Sequence, residues 1–197
     1  HLVIRRQRQM CIRDSLQGQV TADLKDLESS KYIQSCLCDE KGFIKAEFLL
    51  SNENGLEIFV DESSFNVLFE ELNKFIKFYR LEMKISSREI FYKFFQNNDN
   101  LEYVFSNNKL FCDIGLRASK DEKLLTEEEF KLNILLLGQF LFSHQDVNKY
   151  RPHDIGMNIT HVSFLKGCFR GQEVIARTEH LSKKKKVITP VSYTHLT

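Results

Sequence analysis

The 197-residue sequence holds no tryptophan, only two prolines and only eight glycines. That scarcity excludes collagen-like repeats and Pro/Gly-rich low-complexity chains. No uncharged apolar run approaches the roughly 18–20 residues of a membrane-spanning helix. The longest, residues 134–142, is broken by Gly138 and Gln139. No repeat of 20–50 residues is visible either, which removes solenoid architectures. Charge of one sign is also missing, with 28 basic against 27 acidic residues. What remains is an ordinary globular composition, 42% hydrophobic, with seventeen phenylalanines to build the core.

The two ends read differently from the middle. Residues Met10-Cys11-Ile12-Arg13-Asp14 can be encoded ATG TGT ATA AGA GAC. The reverse complement of that stretch translates as Val-Ser-Tyr-Thr-His, which is residues 191–195. Protein segments have no physical reason to be antisense copies of each other. Residues 1–15 and 191–197 are therefore read as a translated sequencing-library adapter, outside the fold and without function. The alternative is a genuine basic arm carrying Arg5, Arg6 and Arg8. Without these ends the chain has 24 basic and 26 acidic residues, a net charge of −2, and no basic field for nucleic acid. Four cysteines remain, Cys36, Cys38, Cys112 and Cys168. They are too few for a disulfide framework, which favours a reducing cytoplasm.

Between the ends, residues 16–24 read as a short helix running into a turn. Alternating apolar residues then predict strands at residues 32–38, 43–50 and 56–60, joined by turns at residues 39–42 and 52–55, a β-meander. From Phe65 the period changes. Phe65, Leu68, Phe69, Leu72, Phe75, Ile76 and Tyr79 share one helical face, with Ser63 or Ser64 as cap. Phe69→Ala in that face is expected to cost roughly 3–5 kcal/mol. Short strands follow at residues 81–85, 89–95, 103–105 and 110–116. Thr126 and Glu129 form a capping box opening a helix to about Leu137. The fold class is α+β, with a main lobe of residues 16–60 and 126–190 and a smaller inserted α+β lobe at 61–125.

The densest run of chemistry-bearing residues is Lys166-Gly-Cys-Phe-Arg-Gly-Gln-Glu-Val-Ile-Ala-Arg177. Gly167 and Gly171 bracket a tight segment. Cys168 lies between Lys166 and Arg170, and positive neighbours favour a thiolate. Gln172 and Glu173 offer an amide and a carboxylate of the kind that read a polar heterocycle. On spacing alone, a solvated turn with a buried cysteine is the plainer reading. Cys36 and Cys38 share a strand face, and without a second Cys/His pair at ligand spacing they read as core residues, so no metal site is assigned. His153 and Asp154 are adjacent and read as a surface pair rather than a catalytic one.

Residues 166–173, with Ala176-Arg177, resemble the signature of the YgfZ family of folate-binding proteins, in the superfamily of the glycine-cleavage T-protein. Residues 16–23 (Leu-Gln-Gly-Gln-Val-Thr-Ala-Asp), 38–42 (Cys-Asp-Glu-Lys-Gly), 152–158 and 163–164 agree with that family in order. The resemblance runs from about residue 16 to 190. It implies three domains around a central folate site, and a fragment that stops where a C-terminal β-barrel domain would begin. It implies tetrahydrofolate, or a one-carbon derivative, as cofactor. Cys168 would be the functional thiol, with Lys166, Gly167, Phe169, Gly171, Gln172, Glu173, Arg177 and Phe130 as folate contacts. The function implied is a monomeric cytoplasmic accessory protein that supports iron–sulfur enzymes, including tRNA-modifying radical enzymes.

Two features depart from the superfamily. Where T-proteins carry an acidic stretch, this chain has Lys45 and Ala46, and Glu47 must face away from Ala46 on an alternating strand. That disfavours the first alternative, folate-dependent aminomethyl transfer. With no tryptophan to stack a pterin, Phe130 or Phe169 would have to serve. The second alternative is an RNA-binding module with a weak tRNA contact through residues 183–186, four consecutive lysines.

Overall fold

The computed structural model describes residues 2–5, 9–53, 55–78, 82–85, 91–95, 105–106, 111–115 and 124–181. The meander forms as expected: β2 (Tyr32–Cys38), β3 (Ile44–Ser51) and β4 (Leu56–Val60) pair in antiparallel sequence. Two further strands complete a five-stranded sheet in the order β2-β3-β4-β1-β5. They are β1 (Leu2–Arg5) and β5 (Glu82–Ile85).

The sheet is buried on both faces, which is why β3 reads Phe48-Leu49-Leu50 without alternation. On one face Phe48, Leu50 and Ile58 meet Leu68 and Leu72 of α2 (Glu62–Phe78), together with Leu16, Val20, Leu24 and Leu27. On the other, Tyr32, Leu49 and Phe59 meet Cys112 and Leu137. Cys112 belongs to a second, three-stranded sheet, ordered β6-β8-β7, of β6 (Phe91–Phe95), β7 (Phe105–Ser106) and β8 (Phe111–Gly115). The third helix, α3 (Glu127–Leu136), opens on the Thr126–Glu129 capping box read in the sequence, with both reciprocal bonds present. The fourth, α4 (Gln172–Leu181), closes the described chain. Among the described residues no helix is long and apolar enough to cross a membrane.

Four local expectations are corrected. Residues 1–15 are expected outside the fold, yet Leu2–Arg5 pairs with both β4 and β5. Val3 and Ile4 are β-branched and suit a strand, and the segment fills the place between β4 and β5. The helix read at the start of residues 16–24 begins upstream, at Gln9, and only its end lies there before the turn. Here α1 (Gln9–Gln17) stops before Gly18, Val20 bridges to Leu37, and a 3-10 turn follows at Leu24–Glu28. The cap of α2 is Asp61 rather than Ser63 or Ser64, its carboxylate accepting from the Ser63 amide at 2.9 Å. The inserted lobe is not separate at its start, because α2 packs on the main sheet and β5 pairs within it.

The α2 packing also revises its energetics. Leu68 and Leu72 are fully buried, whereas Phe69 is half-buried and lies against Phe65 at 5.8 Å. Phe69→Ala should therefore cost about 1–2 kcal/mol rather than the 3–5 of a sealed core site. Urea unfolding of the variant checks the difference.

Candidate functional site

Residues 166–173 do mostly structural work. The Lys166 ammonium is buried and donates to three backbone carbonyls, those of Gln17 (2.6 Å), Val20 (2.7 Å) and Ala22 (2.8 Å). Burial pulls its pKa down to about 8, against the opposing pull of the Asp23 carboxylate. It therefore keeps all three protons at neutral pH, one per carbonyl. Phe169 is a core residue, packed with Cys36, Cys38, Ile44 and Ile175. Arg170 reaches Glu40 at the hairpin and Glu71 on α2, each at 2.8 Å. Burial works against ionisation of Glu71, but hydrogen bonds from Lys74 and Arg170 hold its carboxyl below the usual range.

The rest of the segment is placed as follows. Gly171 has φ of +82° and lies against the hairpin backbone at Asp39 and Gly42. The Gln172 side chain accepts from the Phe169 amide at 3.3 Å. Glu173 and Arg177 form an exposed pair one turn apart on α4, at 3.2 Å. Gly167 has open space around it. Cys168 likewise faces outward, as an exposed thiol. Its charged neighbours in sequence, expected to stand beside it, bond elsewhere.

Phe130 lies in a different place. It lines a cavity of about 310 Å³ between the main sheet, β6 and α3. Its ring meets Tyr92 edge-on at 5.3 Å and Phe94 at 6.1 Å. Phe59, Phe140 and Phe142 complete an aromatic wall, and Gln34, Gln139 and Glu47 supply polar groups. No residue of 166–173 lines this cavity. The structure thus separates Phe130 from the cysteine loop that the resemblance groups with it. Glu47 faces away from the fully buried Ala46, as alternation requires, and that orientation puts its carboxylate in the cavity. Burial, and then the Glu47 charge, push the Tyr92 phenol well above its usual range, so it stays a hydrogen-bond donor.

Behind Glu47 stands His161, fully buried, with its Nε2 3.3 Å from the Glu47 carboxylate and its Nδ1 2.7 Å from the Thr160 hydroxyl. His153 is corrected from a surface pair with Asp154: it is buried, and its partner is Glu179 on α4 at 2.8 Å. The turn at Pro152–Ile155 points consecutive side chains in different directions, so adjacency in sequence misassigned the partner. Cys36 and Cys38 sit in the core as expected, Cys36 with its sulfur 3.8 Å from that of Met157. Burial pushes both thiols up, which keeps them protonated. The four lysines of residues 183–186 lie outside the described residues.

Tyr92, Phe59, Phe140 and Phe142 were missed in the sequence. Three of them carried a signal, because Phe140 and Phe142 alternate, as Tyr92 does with Phe94 within β6, the period of a strand-like segment with one covered face.

No protein-family model matches the chain. It is similar to curated proteins named tRNA-modifying protein YgfZ. That of Colwellia psychrerythraea is 25% identical over 206 aligned residues, covering 88% of this chain and 64% of that protein. That of Aliivibrio fischeri is 25% identical over 204, covering 88% and 63%. That of Vibrio vulnificus is 24% identical over 212, covering 91% and 64%. The chain thus spans somewhat less than two thirds of the length of the relatives it matches.

Proposed function

We propose that this chain is the larger part of a YgfZ-type protein, a cytoplasmic factor that binds tetrahydrofolate and supports iron–sulfur enzymes of tRNA modification. The observation that carries the folate part is the aromatic cavity with a carboxylate on its floor. A reduced pterin is a flat heterocycle with apolar faces and a row of N–H donors along one edge. Phe59, Phe130 and Tyr92 offer ring surfaces to those faces, and Glu47 offers the acceptor for that edge. A volume of about 310 Å³ suits the pterin rather than the whole cofactor. The donor set therefore fits the group. Bound there, tetrahydrofolate would supply a reduced one-carbon carrier. Glu47 would orient it, with His161 holding the carboxylate from behind. The folate contacts that the resemblance implies in residues 166–173 and at Arg177 are replaced in this reading by cavity residues, and only Phe130 remains.

Titration calorimetry with tetrahydrofolate tests this reading. Glu47→Gln should weaken binding about tenfold or more, the worth of one charge-assisted hydrogen bond. Binding that neither Glu47→Gln nor Phe130→Ala changes would remove the cavity from consideration.

Cys168 is the proposed point of contact with iron–sulfur chemistry. Exposed and outside the core, it can be replaced by alanine at a cost within about 0.5 kcal/mol. Complementation of a strain lacking its own YgfZ-type protein should nevertheless fall sharply. Full complementation by Cys168→Ala would make the thiol irrelevant. A second reading, folate-dependent aminomethyl transfer, is favoured by one observation, the Glu47 carboxylate inside the cavity. Turnover of an aminomethyl donor would distinguish it from a binding-only role.

A further inference from the structure

The outer edge of β2 is half covered. Thr21 lies along it: its amide donates to the Cys36 carbonyl at 3.0 Å, and its hydroxyl accepts from the Cys36 amide at 2.9 Å. On the far side of Thr21, the Ser163 amide donates to the Thr21 carbonyl at 3.0 Å. Residues 20–22 are thus a bridged, strand-like segment held between β2 and the 161–163 segment, antiparallel to β2 through the isolated Val20–Leu37 bridge.

That strand stops early. In its register the next residue, Asp23, would face Gln34. Instead the Asp23 carboxylate accepts from the Lys25 amide at 3.0 Å and starts the 3-10 turn, which carries the chain away. Beyond the stop, a groove of about 700 Å³ runs between β2 and residues 159–165. Residues of an antiparallel strand point both backbone groups to alternate sides. Cys36 points its pair outward, and the register is regular down to Tyr32, so Gln34 also points its amide and carbonyl into the groove. Among the described residues only its side chain makes a hydrogen bond outside the sheet, to Gln139.

We infer that this groove is a docking slot for an extended peptide of a partner protein, added to β2 in line with residues 20–22. Three features define the occupant. The Gln34 amide and carbonyl require a partner backbone in strand conformation. Leu165, entirely exposed, and Ile159, 81% exposed, stand on the outer wall and call for apolar side chains. Among the described residues Asp26 is the one carboxylate on the wall, and no Lys or Arg lines the groove. That charge selects a basic residue on the peptide. It also argues against RNA, whose phosphates need cations and find none among the described residues of the wall. The inference does not depend on folate binding: the slot and the aromatic cavity share only Gln34, whose side chain bonds Gln139 on the cavity side while its backbone edge faces the slot.

A displayed library of random heptapeptides, panned against the chain, provides the probe. Enriched sequences should alternate apolar residues and carry lysine or arginine. Their synthetic forms should lose about tenfold or more in affinity against Leu165→Asp, and likewise when N-methylated at the central residue. Leu165→Asp changes only a side chain already in solvent, so its circular dichroism spectrum should match the parent. Asp26→Asn should weaken the basic peptides selectively, and hydrogen exchange at the Gln34 amide should slow on binding. Three results would overturn the inference. They are no enriched sequence, binders indifferent to both Leu165→Asp and N-methylation, or a decauridylate that occupies the same surface and is displaced by Leu165→Asp.

Discussion

Replacing Lys166 with methionine should destabilise the chain by about 3–5 kcal/mol, read as a fall in the urea midpoint at constant slope. Methionine matches the length and apolar stem of lysine, so the substitution removes little volume. What it removes is the common donor of three carbonyls. Those of Gln17, Val20 and Ala22 all point at one ammonium. Each buried carbonyl left without a donor costs about 1–3 kcal/mol, less whatever water can reach. The ammonium's own burial cost is recovered in the variant, which keeps the total below the sum of three full penalties. The loss should also be local at first. Residues 17–22 link α1 to the β2 edge, so their amides should exchange faster before the sheet opens. A variant within about 1 kcal/mol of the parent would show that the three carbonyls find other donors.

This role for Lys166 also shows why the most conspicuous motif in the sequence was only half legible. Residues 166–173 stand out because the run is dense in glycine, charge and a cysteine, and such density invites a chemical reading. Each residue instead answers a separate demand of packing. Lys166 clasps one loop, Phe169 fills the core, Arg170 ties the hairpin to α2, and Gly171 permits a backbone approach. The polar partners of Lys166 and Arg170 lie from 99 to 149 residues away along the chain, and local pattern carries no information at that range. The cavity was hidden for the same reason. Its wall draws on β2, β3, β4, the start of α2, β6, α3 and the segment after it, no more than four residues from any one of them. Only Phe130 and Glu47 were singled out in advance.

The fold was more accessible where a single element decides its own form. The strands of the meander, the α2 face and the Thr126 capping box follow from alternation, period and cap chemistry within ten or so residues. What failed was the assignment of partners. A helix at residues 62–78 is visible as amphipathic, yet nothing in its own sequence says which sheet its apolar face will cover. Likewise β5 reads as a strand but not as the neighbour of β1. Grouping α2 and β5 with the strands that follow them used chain proximity as a substitute for packing, and the β3 run Phe48-Leu49-Leu50 was the clue to the contrary. Three consecutive apolar residues in an antiparallel strand require a cover on both faces, and α2 supplies one of them.

Gly171→Ala should cost about 3 kcal/mol, and Gly167→Ala, four residues earlier, almost nothing. The two glycines look alike in sequence, bracketing the same cysteine. Gly171 adopts φ of +82°, where an L-residue with a Cβ pays about 1–2 kcal/mol. A methyl group there would also press into the Asp39 carbonyl oxygen, with the Gly42 Cα at 3.1 Å and its amide nitrogen at 3.2 Å. None of these is the end of a flexible side chain. The Asp39 carbonyl already accepts from the Gly42 amide at 3.0 Å, and the Asp39 carboxylate accepts from the Lys41 and Phe43 amides. The hairpin tip is therefore a closed set of hydrogen bonds that can only yield as a unit. If it moves, the Arg170–Glu40 pair and the packing of Gly42 on Ile175 move with it. Gly167 has no positive φ and no atom near a Cβ, so alanine there should stay within about 0.5 kcal/mol. Thermal unfolding of the pair decides the matter: equal losses would mean the loop tolerates strain anywhere, whereas a loss confined to Gly171→Ala identifies the hairpin contact as the reason for that glycine.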